Sequence, residues 1–101
     1  MAHTGATCNR ITLTPNVMET ISYSASTFSR HMYLSANIDI VNYGGGDIYV
    51  NWKGAASIGG EDSLLLKEGV GYEIREGTYL DNFSLNIISD SAAVVQVVKG
   101  R

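Results

Sequence analysis

The sequence predicts an all-β fold: a single-domain antiparallel β-sandwich, jelly-roll or immunoglobulin-like, with eight or nine short strands. Three observations carry this. Short segments alternate apolar and polar residues with a period of two, the mark of half-buried strands. Turn residues separate them at roughly 8–12 residue spacing, the rhythm of sandwiches and jelly rolls. Nine Ile, eight Val and seven Thr among 101 residues suit a pleated, half-buried surface.

The elements follow in order. Residues 1–9 have no period and read as an N-terminal arm, leaving 10–101 as the sandwich domain. Arg10–Thr14 alternates through Ile11 and Leu13 until Pro15-Asn16 breaks it, since proline cannot donate to a ladder. Val17–Ser24 continues, but Glu19 interrupts its apolar row, which points to an edge strand. Residues 25–30 read as a loop or one helical turn, and His31–Ala36 as a short strand. Asn37–Tyr43 is a strong strand, with Ile38 and Ile40 on one face. Gly44-Gly45-Gly46-Asp47 then predicts a β-hairpin, because glycine tolerates the positive φ of tight turns. Ile48, Val50 and Trp52 resume the apolar row. A loop over Gly54–Asp62, strands Ser63–Lys67, Gly71–Glu76 and Phe83–Ser89, a turn at Asp90-Ser91 and a closing strand Ala92–Lys99 complete the chain.

Charge narrows the function classes. Seven Lys and Arg stand against ten Asp and Glu, net −3, and charged residues make up only 17%. No nucleic-acid partner is expected, because a duplex binder needs clustered cations to displace counterions. No membrane partner is expected either, because no apolar run approaches the ~20 residues of a helical span. The first ten residues lack the charged start and apolar stretch of a secretory signal. The one cysteine, Cys8, forms no internal disulfide and reads as a small, semi-buried residue.

No residues announce catalysis or a cofactor. Glu61, Asp62 and Glu68 lack the alternating acidic ligands of a calcium loop. They read as solvated turns, and nothing sets two carboxylates across a sugar-sized cleft. A Ser-His-Asp triad has only His3 and His31 as bases, and the G-x-S-x-G elbow is missing. Gly44–Gly46 leads into a strand, whereas phosphate cradles lead into a helix N-terminus. Trp52 with Tyr49, Tyr72 and Tyr79 is a possible sugar platform, but Trp52 shares the face of Ile48 and Val50 and reads as core.

The outer faces are more informative. A domain of this size fills one core, yet several strands are apolar on both sides. Leu64-Leu65-Leu66 is continuous, Ile87-Ile88 breaks its alternation, and Val94 and Val98 lie opposite Val95 and Val97. Tyr43 and Tyr49 flank the glycine turn on the face away from Ile38 and Trp52. Exposed apolar patches mark interaction sites. The candidate interface is therefore Leu64, Leu66, Tyr43, Tyr49, Val94 and Val98, covered by sister subunits in a homo-oligomer.

Three segments, NYGGGDIYVNW (42–52), LLLKEGVGYEIREG (64–77) and NIISDSAAVVQVVKG (86–100), resemble small all-β bacteriophage virion proteins, above all capsid decoration (cement) proteins. The likeness is one of composition and rhythm over residues 37–100, and no family binding residue carries over. It implies a non-enzymatic dimer or trimer on the virion capsid surface, clamping the major capsid protein, with the arm reaching across a subunit joint. A carbohydrate-binding or other ligand-binding sandwich module and a phage tail or head-tail structural protein are the alternatives.

Overall fold

The computed structural model describes residues 1–6, 8–24, 36–76 and 82–100. Within them run β1 (Ala2–Thr4), β2 (Cys8–Thr12), β3 (Glu19–Ser24), β4 (Ala36–Gly44), β5 (Ile48–Asn51), β6 (Leu64–Leu66), β7 (Gly71–Glu76), β8 (Asn82–Ile88) and β9 (Val94–Gly100). The first sheet has the order β1-β3-β8-β5-β6 and the second β2-β9-β4-β7. The expected all-β sandwich is what the chain forms.

Pairing order decides which sandwich. β2 pairs with β9, β3 with β8, β4 with β7 and β5 with β6, all antiparallel. These pairs nest like the rungs of one long ribbon whose tip is β5–β6. Contacts β4–β9 and β5–β8 fold the ribbon onto itself. That nesting is a jelly roll, which settles the choice against the immunoglobulin-like arrangement.

One consequence corrects the sequence reading. Apart from β5 and β6, consecutive strands lie in opposite sheets. Gly44–Gly46 is therefore no hairpin turn: it carries the chain over the edge from the second sheet to the first. The three glycines have φ of +124°, +94° and +136°, a region closed to most L side chains. Local sequence specified a sharp reversal but could not say whether the chain returned to its own sheet.

Alternation delivers the core. Ile21, Leu85, Ile87, Ile48 and Val50 of the first sheet meet Ile11, Ile38, Ile40, Ile74, Val95 and Val97 of the second, with Trp52 and Leu64 packed partly buried against them. β3 is not an edge strand, contrary to expectation. β1 pairs parallel to it, Ala2 with Thr20 and Thr4 with Ser22. Residues 1–9, read as an arm, thus contain β1 and the start of β2. The loop expected over 25–30 and the strand expected from His31 lie outside the described residues, and Ala36 already belongs to β4.

The glycine corner is tied down by Asn42. Its fully buried amide donates from Nδ2 to the carbonyls of Gly46 (2.8 Å) and Leu66 (2.9 Å), and Oδ1 accepts the Gly44 N–H (2.9 Å). Its backbone N–H donates to Val70 O, and its carbonyl accepts the Gly69 N–H. Replacing Asn42 with Ala takes the side-chain partner from three backbone groups, the buried Leu66 carbonyl and the part-buried Gly46 carbonyl and Gly44 N–H. The expected loss is about 2–4 kcal/mol, since each such orphan costs about 1–3 kcal/mol, read as a lower urea midpoint at unchanged slope.

The corner also predicts a contrast between two glycines. A Cβ on Gly45 would stand 2.9 Å from Ala92 O and 3.1 Å from Ala93 Cα, whereas one on Gly69 (φ +81°) meets nothing within 4 Å. Both alanine substitutions are strained by positive φ, but only Gly45→Ala also pushes on backbone. Gly45→Ala should cost at least about 1 kcal/mol more than Gly69→Ala. Equal unfolding midpoints would refute the close approach.

Candidate functional site

The candidate residues divide among three places. On β6, Leu66 is 3% exposed and belongs to the core, while Leu65 is 41% exposed and faces outward. Leu64 shares the inward parity of Leu66 and packs against the core. Three consecutive leucines offer two opposite parities for one strand, and the register Tyr49↔Leu65 puts the middle one outside. Tyr43 and Tyr49, expected on one face, lie on the outer faces of different sheets, because the glycine corner between them changes sheet.

On the first sheet the apolar outer residues form one row, Ile88 beside Tyr49 beside Leu65. Next to it runs a polar row, Thr20, Asn86 and Asn51. Its polar groups have partners within the chain. Thr20 Oγ1 donates to Asn86 Oδ1 (2.7 Å), Asn86 Nδ2 to Gly54 O (2.6 Å) and Asn51 Nδ2 to Ala55 O (3.0 Å), while Lys53 N–H donates to Asn51 Oδ1 (2.8 Å). This row fastens the loop after β5, and the apolar row beside it is the hydrophobic part of the face.

On the second sheet Val94 and Val98 point outward from β9 with Val41 and Tyr43 of β4. The register slips between Asn42 and Gly44, so Tyr43 is the extra residue of a β-bulge, a device that re-aims a side chain. Tyr43 is 55% exposed, and the Arg10 guanidinium carbon lies 5.2 Å from its ring centroid. Arg10 is itself held by Nε (3.0 Å) and Nη2 (2.6 Å) bonds to Gln96 Oε1. Gln96 interrupts the valine row in sequence, and in the fold it positions Arg10 over Tyr43.

Trp52 is half-buried and stacks on Tyr72 at 5.9 Å between centroids and 26° between planes. Tyr72 faces the inner side of β7, yet is 43% exposed because it lies at the sheet edge. Trp52 also borders a groove of about 480 Å³ with Asn51, Lys53, Asp62 and Leu64. Tyr79 and His31 lie outside the described residues. Cys8 is exposed rather than semi-buried, because β2 gives it the outward parity of Arg10 and Thr12, opposite to buried Ile11.

Sequence reasoning missed the pair His3–Glu19. Glu19 is 2% exposed, and its Oε1 lies 2.6 Å from His3 Nε2. The odd Glu in an apolar row was the available signal; its partner arrives from β1, which had no strand pattern. A base beside a carboxylate makes two parts of a hydrolytic triad. The hydroxyls nearest in register, Thr4, Thr20 and Ser22, have the opposite parity and face outward. Among the described residues no three His, Cys, Asp or Glu are grouped to hold a metal.

Tyr23 lies under the crossing from β1 to β2, where a side chain on Gly5 would run into its ring. Burial pushes the Tyr23 phenol up to about 12, and Cys8 adds to the rise. An unfolded tyrosine ionises near 10, so between pH 10 and 12 the unfolded state loses a proton that the folded state keeps. The resulting stability is complete below pH 10 and is lost as pH rises through about 12. Tyr23→Phe should flatten the fall in unfolding free energy across that window. An unchanged alkaline slope would remove Tyr23 as its source.

No protein-family model, curated protein or solved structure matches the chain, so its function is argued from these two outer faces.

Proposed function

We propose that this protein is a non-enzymatic structural subunit of a virion, a capsid decoration protein that associates with itself and stabilises the shell. The observation that carries the reading is the pair of apolar outer surfaces on opposite sides of one sandwich. One is Ile88–Tyr49–Leu65; the other is Val41, Val94, Val98 and Tyr43. A clamp must grip two things at once, and a sandwich with two adhesive faces has the form for it. Jelly rolls also serve capsids and lectins, but fold alone assigns no function. The groove beside Trp52 favours a ligand-binding module less, because Trp52 packs on the core and stacks on Tyr72.

The first-sheet row is assigned to the shell. Leu65→Asp puts an unpaired carboxylate into that contact, and should lower co-sedimentation with the cognate capsid at least about tenfold. Because Leu65 is exposed, the unfolding free energy should change by no more than ~0.5 kcal/mol. Wild-type protein that stays in the supernatant overturns the reading. Glycan-array binding that disappears in Trp52→Ala would replace it with the ligand-binding module.

A further inference from the structure

We infer that Arg10 and Tyr43, on the outer face of the second sheet beside the glycine corner, form a recognition site for a carboxylate: the side chain of an Asp or Glu that a protein partner presents. The inference deepens the proposed clamp, because it names what the second outer face holds.

Arg10 is oriented without being neutralised. Gln96 Oε1 accepts from both Nε (3.0 Å) and Nη2 (2.6 Å), so one uncharged oxygen takes the side edge of the guanidinium. The tip edge, where Nη1 and Nη2 point the same way, keeps its parallel N–H donors. No carboxylate among the described residues pairs with Arg10. Asp39 shares the face, but it lies two residues along β4 from Val41, which stands in the row of Arg10 and Gln96. A glutamate at position 96 would hold the arginine equally well and cancel its charge. Glutamine holds it and leaves the charge to be met from outside.

Arg10 also lines a hollow. Tyr43 is the bulge residue of β4, and the guanidinium carbon stands 5.2 Å from its ring centroid. Ring and glutamine together fix the guanidinium, which lowers the entropy lost when a ligand binds it. Beside them opens a space of about 390 Å³ lined by Arg10, Tyr43, Gly44, Gly45 and Val94. The glycines contribute bare backbone there, and a Cβ on Gly44 would meet nothing within 4 Å. Room is thus left beside Arg10 for an incoming group.

The lining selects that group. Parallel guanidinium donors match the two oxygens of a planar carboxylate. Val94 and the Tyr43 ring suit the methylene stem behind such a carboxylate, and they screen the pair from water. Val41 and Val98 continue the apolar surface on the same face. Arg and Tyr are also the residue types that most often dominate protein contacts. Phosphate and free carboxylates share the fork chemistry but lack the stem, so they are the comparisons that matter.

The test is an NMR titration of the isotope-labelled protein with the tripeptide Val-Glu-Val, blocked at both ends. The Nε–H signal of Arg10, identified by its loss in Arg10→Lys, and the ring signals of Tyr43 should shift and saturate with a Kd on the order of 1–10 mM. Blocked Val-Gln-Val should shift neither. Acetate and inorganic phosphate should bind at least about threefold more weakly than the glutamate peptide. Arg10→Lys keeps the charge and loses the fork, and should weaken binding, read on Tyr43, at least about fivefold. Gln96→Glu supplies an internal carboxylate at the same place, and should weaken binding at least about tenfold. Unfolding curves check both variants, and the comparison of ligands on wild type stands without them.

No saturable shift with the glutamate peptide, equal shifts with the glutamine peptide, or unchanged affinity in folded Gln96→Glu or Arg10→Lys overturns the inference. Acetate or phosphate binding as tightly as the peptide makes this a site for free anions and overturns the assignment to a protein partner. Leu65 lies on the other sheet, so the readouts separate. A failed titration with intact capsid binding refutes only this site, and a bound peptide without capsid binding refutes only the decoration role.

Discussion

The buried side chain of Asn42 is the constraint on which the jelly roll depends. The ribbon must bend from one sheet to the other after β4, and bending frees backbone groups inside the protein. One amide meets three of them, at Gly44, Gly46 and Leu66. Leu66 ends β6, the far side of the ribbon tip, so the same side chain joins both limbs of the fold. A hydrophobic residue there would fill the space and leave those groups orphaned. The positive-φ glycines are permissive, but it is Asn42 that makes one path through the corner preferable.

From that corner follows the surface. The bulge that accommodates Asn42 inside pushes Tyr43 outside, where Arg10 covers its ring. The change of sheet then places Tyr49 on the opposite side of the molecule. A local turn thus supplies each outer face with one aromatic. Around them the polar residues have internal work: the Thr20–Asn86–Asn51 row holds a loop, and Gln96 holds Arg10. Beside these polar residues each face carries an apolar group, Ile88, Tyr49 and Leu65 on one and Val41, Val94 and Val98 on the other.

Much of the fold was legible in the chain. Alternation located most strands to within a residue or two, because period two reports directly which side chains are buried. Ile38, Ile40, Val95 and Val97 went to the core as read. Other features turned on partners that local pattern does not encode. Glu19 looked like an edge signal and is a buried carboxylate beside His3. β1 lacks any alternation, because a three-residue edge strand is held by its neighbour's backbone and by the one side-chain contact of His3 with Glu19. Cys8 looked like a semi-buried residue until the parity of β2 was known. Of the candidate interface, Val94, Val98, Tyr43 and Tyr49 do face outward, while Leu64 and Leu66 turn inward and Leu65 takes their place.

The sequence by itself determined the sandwich, the low charge and the excess of apolar outer positions, because composition and period are local properties. The tertiary structure alone decided the jelly roll over its rival, the glycine corner over a hairpin, and the sharing of apolar residues between two faces. The physical reason is that a reversal with positive φ is the same local event whether the chain re-enters its own sheet or the one opposite. Only long-range bonds, such as those from Asn42 to Gly46 and Leu66, distinguish the two.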